Sequence, residues 1–149
     1  MELDSHSQLI NDNINMYFDI IPDFNTSSNM PIIKTYINNV EVNTLIDSGS
    51  VKSLITNNAV IKTNLRYLLD INTISTNYGI GIVKSNGKIW YCDIKFNKNL
   101  TLPVSFDVIN DLYANIDVIL GNDFINYHCN NINFKEKTIC IMNNTISYN

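Results

Sequence analysis

The sequence lacks any apolar run that approaches the roughly 20 consecutive residues a helix needs to cross a bilayer. Its N-terminus begins with acidic and polar residues, so it does not resemble a secretory signal. From these two absences we expect a protein that is intracellular, is not secreted and has no membrane partner.

Basic residues are scarce as well. Ten Lys and Arg residues stand against fourteen Asp and Glu residues, which gives a net charge of −4. Residues 1–30 contain no Lys or Arg, and their acidic residues are Glu2, Asp4, Asp12, Asp19 and Asp23. Because no basic stripe is available to neutralise phosphates, we expect no nucleic-acid partner. The stretch "NTSSN" before Met30 is typical of a linker, so residues 1–30 are predicted to form an acidic N-terminal arm or linker.

Cysteine and histidine are too few and too scattered to build a metal site. Cys92, Cys129 and Cys140 are an odd number without CxxC spacing, which argues against a disulfide framework and a structural zinc. We expect buried, reduced thiols. His6 and His128 lie far apart and have no ligand partners at metal spacing. We therefore expect no metal and no cofactor.

From Pro31 onward the 149-residue chain is rich in strand signals and long enough for one domain with its own core. "PIIKTYI" and "VEVNTLID" flank Asn38 and Asn39, residue types that tolerate positive φ, so this part predicts a hairpin that ends at Asp47. We expect Ile33, Thr35 and Ile37 to lie on one side of its first strand.

Further strands are predicted by apolar alternation and by short apolar runs. "IWYCDIKF" alternates, which would place Trp90 in the core, and "LPVSFDVI" alternates as well. "IDVILG", "NINF" and "KTICIM" predict more strands, and "NDFINY" predicts one or two helical turns. The stretch "NNAVIKTNLRYLLD" mixes helix-compatible and loop-like pieces and receives no assignment. Strands at short, regular spacing are typical of an all-β barrel or sandwich.

The stretch "TLIDSGSVKSLIT" places a carboxylate and a glycine turn between two apolar segments. A carboxylate in such a setting is costly unless it is paired or used. Backbone N–H groups in the turn after Asp47 can hold the carboxylate rigidly, which suits the binding and activation of a water molecule. One carboxylate cannot act as general base and general acid in the same step, whereas a close pair can. Since this chain has a single D-[ST]-G, the second carboxylate is expected from another copy across a two-fold axis.

Four stretches together resemble the aspartic proteases. "LIDSGS" resembles their active-site turn, "IDVILGNDF" their second conserved element, "YGIGIV" their glycine-rich flap, and "PIIKTYINNVEVNTLIDSGS" their opening hairpin. D-S-G-S alone is a weak signal, but the order and spacing of the four are similar to those of the retropepsins. These half-size, homodimeric enzymes are made by retroviruses, retrotransposons and pararetroviruses. The DNA-damage-inducible ubiquitin-receptor proteases carry the same domain.

The resemblance covers roughly Met30 to Met142 and implies the fold. We expect an all-β, closed, barrel-like retropepsin fold with one short helix, assembled as a homodimer. Residues 31–142 would form the protease domain, and residues 143–149 a C-terminal tail. The stretch after Phe134 and the arm before Pro31 depart from many viral relatives, which build their dimer sheet from both chain ends, so the dimer geometry is left open.

The resemblance also implies roles in the active-site turn. Asp47 would be the catalytic carboxylate, and the pair of Asp47 side chains in a dimer would bind the lytic water. Ser48 would connect the two turns across the dimer axis, and Gly49 would let the backbone approach substrate. Ser50 would buttress the carboxylate.

Outside the turn, the resemblance implies a flap and a support. Gly79, Ile80 and Gly81 would form the flap tip, which closes over an extended peptide and excludes water. Gly121 would pack under the active-site turn, and Asn122 would begin the supporting helix.

The expected function is that of an aspartic endopeptidase that processes a viral or retroelement polyprotein, in the cytoplasm or in a viral or virus-like particle. The alternative is a catalytically inactive dimerisation or peptide-binding module with the same fold. A ubiquitin-pathway protease domain is a third hypothesis, and it would need flanking domains. Structural roles are expected for two other acids: Asp123 would complement the helix dipole, and Asp117 would form a salt bridge or end a strand.

Overall fold

The structure is a computed structural model that describes residues 30–73, 76–77, 83–112 and 115–148. The predicted N-terminal arm up to residue 29 and the predicted flap tip at Gly79, Ile80 and Gly81 lie outside the described residues.

The described chain is mostly β. The strands are β1 Ile32–Ile37, β2 Val40–Ile46, β3 Leu54–Thr56, β4 Leu69–Asp70, β5 Thr76–Asn77, β6 Val83–Lys84, β7 Gly87–Asn97, β8 Leu100–Ile109, β9 Val118–Leu120, β10 Cys129–Asn133, β11 Thr138–Ile141 and β12 Asn144–Ser147. The helices are α1 Asn57–Lys62, the 3₁₀ turn Arg66–Leu68, and α2 Asn122–His128.

Six strands close into a barrel in the order β1-β2-β9-β3-β8-β7, and β7 returns to β1 where Tyr36 lies opposite Lys95. β2 pairs with β9 in parallel, β3 pairs with β8 in parallel, and the other barrel neighbours are antiparallel. β4 extends the sheet beside β7, β5 pairs with β6, and β10, β11 and β12 form a separate three-stranded sheet. The predicted closed all-β barrel is confirmed, as is the short helix at α2.

The opening hairpin follows from its sequence pattern. Asn38 and Asn39 form the turn at φ of 50° and 65°, a conformation that asparagine tolerates better than most residues. The inward face of β1 is fully buried, and the hydroxyls of Thr35 and Thr44 share a hydrogen bond of 2.7 Å across β1 and β2. This buried pair satisfies two polar groups inside an otherwise apolar face.

The strand β7 departs from simple alternation. Ile89 lies opposite Phe106 and Cys92 opposite Val104, so three steps along β7 match two along β8, which is a β-bulge. The bulge keeps Ile89 and Cys92 inside but turns Trp90 outward, and this residue is 59% exposed. The prediction that Trp90 belongs to the core is therefore wrong, because alternation holds only on each side of the bulge.

The stretch "NNAVIKTNLRYLLD", for which the sequence predicted no structure, contains α1, and this helix begins directly after the end of β3. Thr56 caps the helix, since its hydroxyl oxygen accepts from the N–H of Ala59 at 3.1 Å. Ala59 and Val60 are buried against the barrel, so a helix of six residues is held by packing more than by its own propensity.

The C-terminus does not leave the domain at the predicted boundary of residue 142. Met142 and Asn143 both have positive φ, at 47° and 64°, and form a two-residue turn that returns the chain as β12. β12 pairs with β11 over its whole length, and Tyr148 is buried. Residues 144–147 of the predicted tail thus form the third strand of a sheet.

Candidate active site

The active-site turn begins where two distant strands run side by side. Ile46 at the end of β2 pairs with Leu120 at the end of β9, and the N–H of Asp47 donates to the Leu120 carbonyl at 3.0 Å. The N–H of Gly49 donates to Asp47 Oδ1 at 2.8 Å, and the N–H of Ser50 donates to the Asp47 carbonyl at 3.1 Å. The carboxylate is therefore fixed by the backbone of its own turn, as its sequence setting predicts.

Ser50 is buried under the turn, but its hydroxyl has a different partner from the predicted one. Ser50 Oγ donates to the carbonyl of Lys52 at 2.7 Å. The prediction that this hydroxyl buttresses the carboxylate is corrected accordingly. Because the hydroxyl of residue 50 reaches a carbonyl only two residues ahead, it stabilises the bend of the chain after the turn.

Gly121 lies against the turn so closely that no other residue fits. A Cβ at this position would lie 2.6 Å from the carbonyl oxygens of both Ser50 and Lys52. The next residue, Asn122, donates its N–H to the Ser50 carbonyl at 2.8 Å and its side-chain Nδ2 to the Ser48 carbonyl at 2.8 Å. The entry of α2 thus holds both sides of the active-site turn.

A serine and an aspartate that sequence analysis did not pair complete this support. Asp123, in the first turn of α2, accepts two hydrogen bonds from Ser53, from its N–H at 3.0 Å and its hydroxyl at 2.7 Å. The same Ser53 oxygen accepts from the N–H of Gly121 at 3.1 Å. Asp123 therefore does more than complement the helix dipole: it connects α2 to the chain that leaves the active-site turn.

Removal of the Ser53 hydroxyl is expected to weaken this support measurably. In Ser53→Ala the N–H of Gly121 and one Asp123 oxygen lose their partner inside the protein, at a cost of about 2 kcal/mol in the free energy of unfolding. Urea unfolding checks the value, with Ser147→Ala, at an exposed strand residue, as the matched control. If the two variants unfold at the same urea concentration, the Ser53 hydroxyl does not contribute to the free energy of unfolding.

Asp117, the other acidic residue considered in the sequence, has a structural role. Asp117 accepts from the N–H of Asn43 at 2.9 Å and pairs with Lys62 at 2.9 Å, which confirms the predicted salt bridge.

Burial raises the pKa of Cys92 to about 12 and that of Cys129 to about 11, so neither thiol is a nucleophile at neutral pH. Within the described part of the chain, no three His, Cys, Asp or Glu side chains are grouped to hold a metal ion. None of the described helices is long and apolar enough to cross a membrane.

The structure brings most of the predicted site residues together. Residues 47–50 form one turn with Gly121 and Asn122 directly against it. The chain on each side of the predicted flap tip is paired, with Thr76 opposite Lys84 and Asn77 opposite Val83. The tip itself lies outside the described residues, so its role stays a prediction.

Comparison with known proteins agrees with this geometry. Residues 22–133 match the family model described as aspartyl protease. The chain belongs to the aspartyl protease family. Within the family it is similar to DNA damage-inducible protein 1 of Saccharomyces cerevisiae, at 27% identity over 134 residues, and to that of Kluyveromyces lactis, at 26% over 132 residues. These alignments cover 90% and 89% of this chain but only 30% and 31% of the relatives, so the chain spans about a third of their length.

Solved structures of the family share the fold. The retroviral protease-like domain of Ddi1 from Leishmania major has a TM-score of 0.65 at 24% identity, over 79% of this chain and 94% of that one. The EIAV protease complexed with the inhibitor HBY-793 has a TM-score of 0.52 at 22% identity, over 70% and 91%. These likenesses establish a retropepsin-like fold.

Proposed function

We propose that this chain hydrolyses peptide bonds as an aspartic endopeptidase that is active as a homodimer. The observation that carries the proposal is the held carboxylate: Asp47 directly follows the barrel strand β2, one of its oxygens accepts from the N–H of Gly49, and the entry of α2 holds its turn. Family membership supports the same chemistry. A side chain that is held in place before substrate arrives needs no reorganisation during the reaction.

In the proposed mechanism two Asp47 carboxylates, one from each copy, bind a water molecule between them. One carboxylate takes a proton from the water as the water oxygen attacks the scissile carbonyl carbon. The other, protonated, donates to the carbonyl oxygen and gives a tetrahedral diol. Collapse of the diol transfers a proton to the leaving nitrogen, breaks the C–N bond and leaves an acid and an amine.

The second copy is required by chemistry, because the chain holds one D-S-G turn. A single carboxylate would have to accept and donate a proton in the same step. A two-fold axis near the turn would bring Ser48 of the two copies together and supply the missing acid. The exposed position of Ser48 and its neighbour Gly49 is compatible with such an arrangement.

The substrate is proposed to be a peptide in extended conformation, covered by a flap formed by Gly79, Ile80 and Gly81. Cleavage of a viral or retroelement polyprotein inside the cell or in a particle remains part of the proposal. The similarity to DNA damage-inducible protein 1 supports a cellular context equally, and it extends over about a third of those proteins.

The test uses the purified chain with a mixed peptide library at mildly acidic and at neutral pH, with and without a peptide that contains statine. New termini are read by mass spectrometry, and dimerisation is measured by light scattering. The proposal predicts cleavage that the statine peptide suppresses. A sample that is dimeric but cuts nothing would favour the alternative, an inactive dimerisation or peptide-binding module.

A further inference from the structure

Two neighbouring aromatic residues of β7, Trp90 and Tyr91, both face solvent, and each is 59% exposed. In a regular strand, one of two consecutive side chains faces inward. The β-bulge removes that alternation, because Ile89 and Cys92 both stay buried while the two residues between them turn outward. Bulges are devices by which proteins re-aim side chains. This one presents a pair of aromatic rings on the outside of the barrel.

Both rings are held in place by carboxylates. The indole N–H of Trp90 donates to Asp70 Oδ2 at 3.0 Å, and the hydroxyl of Tyr91 donates to Asp93 Oδ1 at 2.8 Å. The Trp90 hydrogen bond is the largest of the causes that lower the pKa of Asp70, so this anchor stays ionised at neutral pH. Rings that are already fixed lose little further freedom when a ligand binds to them.

The two rings line a groove with a volume of about 550 Å³. Tyr67, which is 76% exposed, forms another part of the wall, and Leu65 and Leu68 add apolar surface. Small-ligand sites in proteins have volumes of about 300 to 1,000 Å³. Trp and Tyr are also the residue types that most often dominate the binding energy at protein interfaces. The groove therefore has the size and the composition of a binding surface.

The charge in the groove is negative. None of the residues that line it is Lys or Arg, and Asp93 is acidic. In the described part of the chain Asp93 forms no ion pair, although Lys95 lies two residues further along β7, and its Oδ2 has no hydrogen-bond partner. The Trp90 ring already accepts a cation, since Lys88 Nζ lies 4.5 Å from its centroid. The groove thus complements a cationic group that can lie against aromatic rings.

We propose that this groove binds a segment of another protein through an arginine side chain with apolar neighbours. The planar guanidinium would stack on the exposed rings and donate to Asp93, and the apolar neighbours would cover Leu65 and Leu68. The acidic arm at residues 1–30 contains no Lys or Arg, so it does not fit the groove. This binding is separate from the proposed hydrolysis, and no step of it needs Asp47.

The test uses Trp90 as a reporter, because it is the only tryptophan of the chain. The full wild-type chain is titrated with the peptide acetyl-Ala-Leu-Arg-Leu-Ala-amide and with two counterparts that carry citrulline or Glu in place of Arg. Citrulline has nearly the shape of arginine but no charge. Trp90 emission and calorimetry should both saturate with the Arg peptide. It should bind about tenfold more tightly than the citrulline peptide, and the Glu peptide should bind most weakly. Mass spectrometry checks that the peptides stay intact.

Matched variants assign the binding to the groove. Tyr67→Ala should weaken binding of the Arg peptide by about fivefold, whereas Tyr127→Ala, which truncates an exposed tyrosine on α2, should not change it. Asp93→Asn should lower the Arg-to-citrulline ratio to about threefold or less, because only the contact with the rings remains. Glu136→Gln makes the same charge change in the turn between β10 and β11 and should keep the ratio. Since the ratio is internal to each variant, a general loss of stability cancels.

Three results would overturn the proposal. Equal binding of the Arg and citrulline peptides would mean that the groove does not select charge. An unchanged Trp90 emission would mean that the Arg peptide does not occupy the groove. If light scattering finds that Tyr67→Ala converts a dimer into a monomer, the groove is a contact between copies of this chain. A chain that cuts no peptide but binds the Arg peptide with the expected selectivity supports the binding surface and counts only against the proposed hydrolysis.

Discussion

Asp47→Asn is expected to reduce kcat/KM by about 10³-fold without unfolding the chain. The amide has the same shape as the carboxylate, and its oxygen can still accept from the N–H of Gly49 at the position of the 2.8 Å bond. It can neither take a proton from water nor donate one as a carboxylic acid, so a dimer of the variant loses both the base and the acid of the proposed site. Thermal unfolding of the two chains side by side checks that only the chemistry has changed.

Mixing the two chains makes this prediction sharper. If each active site needs one Asp47 from each copy, a re-equilibrated equal mixture of wild type and Asp47→Asn contains about one fully wild-type dimer in four. Activity should then fall to about a quarter of that of the wild-type chain at the same total concentration. Retention of half the activity would mean that each copy works alone, and the shared site would be wrong.

Gly121→Ala is expected to have the largest effect on stability. Its new Cβ would lie 2.6 Å from two carbonyl oxygens, of Ser50 and Lys52, and 2.8 Å from the Lys52 carbonyl carbon. These are backbone atoms within the support of the turn, so the clash cannot be relieved by a rotamer change. We expect a loss of about 3 kcal/mol in the free energy of unfolding and a fall in Tm of about 10 °C.

Gly49→Ala is the matched comparison, because it adds the same methyl group within the active-site turn itself, whereas Gly121 lies against that turn. Its Cβ would meet Asp47 Oδ1 at 3.1 Å, a contact that a shift of a few tenths of an ångström in one side chain relieves. We expect little change in Tm but a clear loss of kcat, since the shift moves the carboxylate. If both glycine variants unfold alike, the tight packing around Gly121 is not what stabilises the turn.

Much of the barrel could be predicted because local pattern and tertiary structure agree. Asn38 and Asn39 marked a turn that the backbone makes at positive φ, and the apolar ends of β2 and β9 marked the strands that meet at Asp47. The interior of β8 follows its alternation down to Phe106, which is fully buried.

What could not be predicted depends on the partner of a residue and not on its own type. The bulge in β7 turns Trp90 outward, and a bulge is set by the register against β8, which a single strand does not encode. Ser53 and Asp123 are 70 positions apart, so nothing local paired them. The last strand was missed because its turn places Met142, an unusual residue for positive φ, where Gly or Asn is more common.

The contacts that support the active-site turn also determine how much of the chain must be synthesised before the turn can be held. Ser48 is held by Asn122, which lies 74 positions later in the chain. Ile46, at the end of β2, gains its parallel partner only when Leu120 has been made. A chain that emerges from the ribosome therefore carries its reactive carboxylate through more than seventy further residues without the contacts that orient it. A product that ends before α2 lacks the contacts of Gly121 and Asn122 with the turn, so under the proposed mechanism it would have no oriented Asp47 carboxylate.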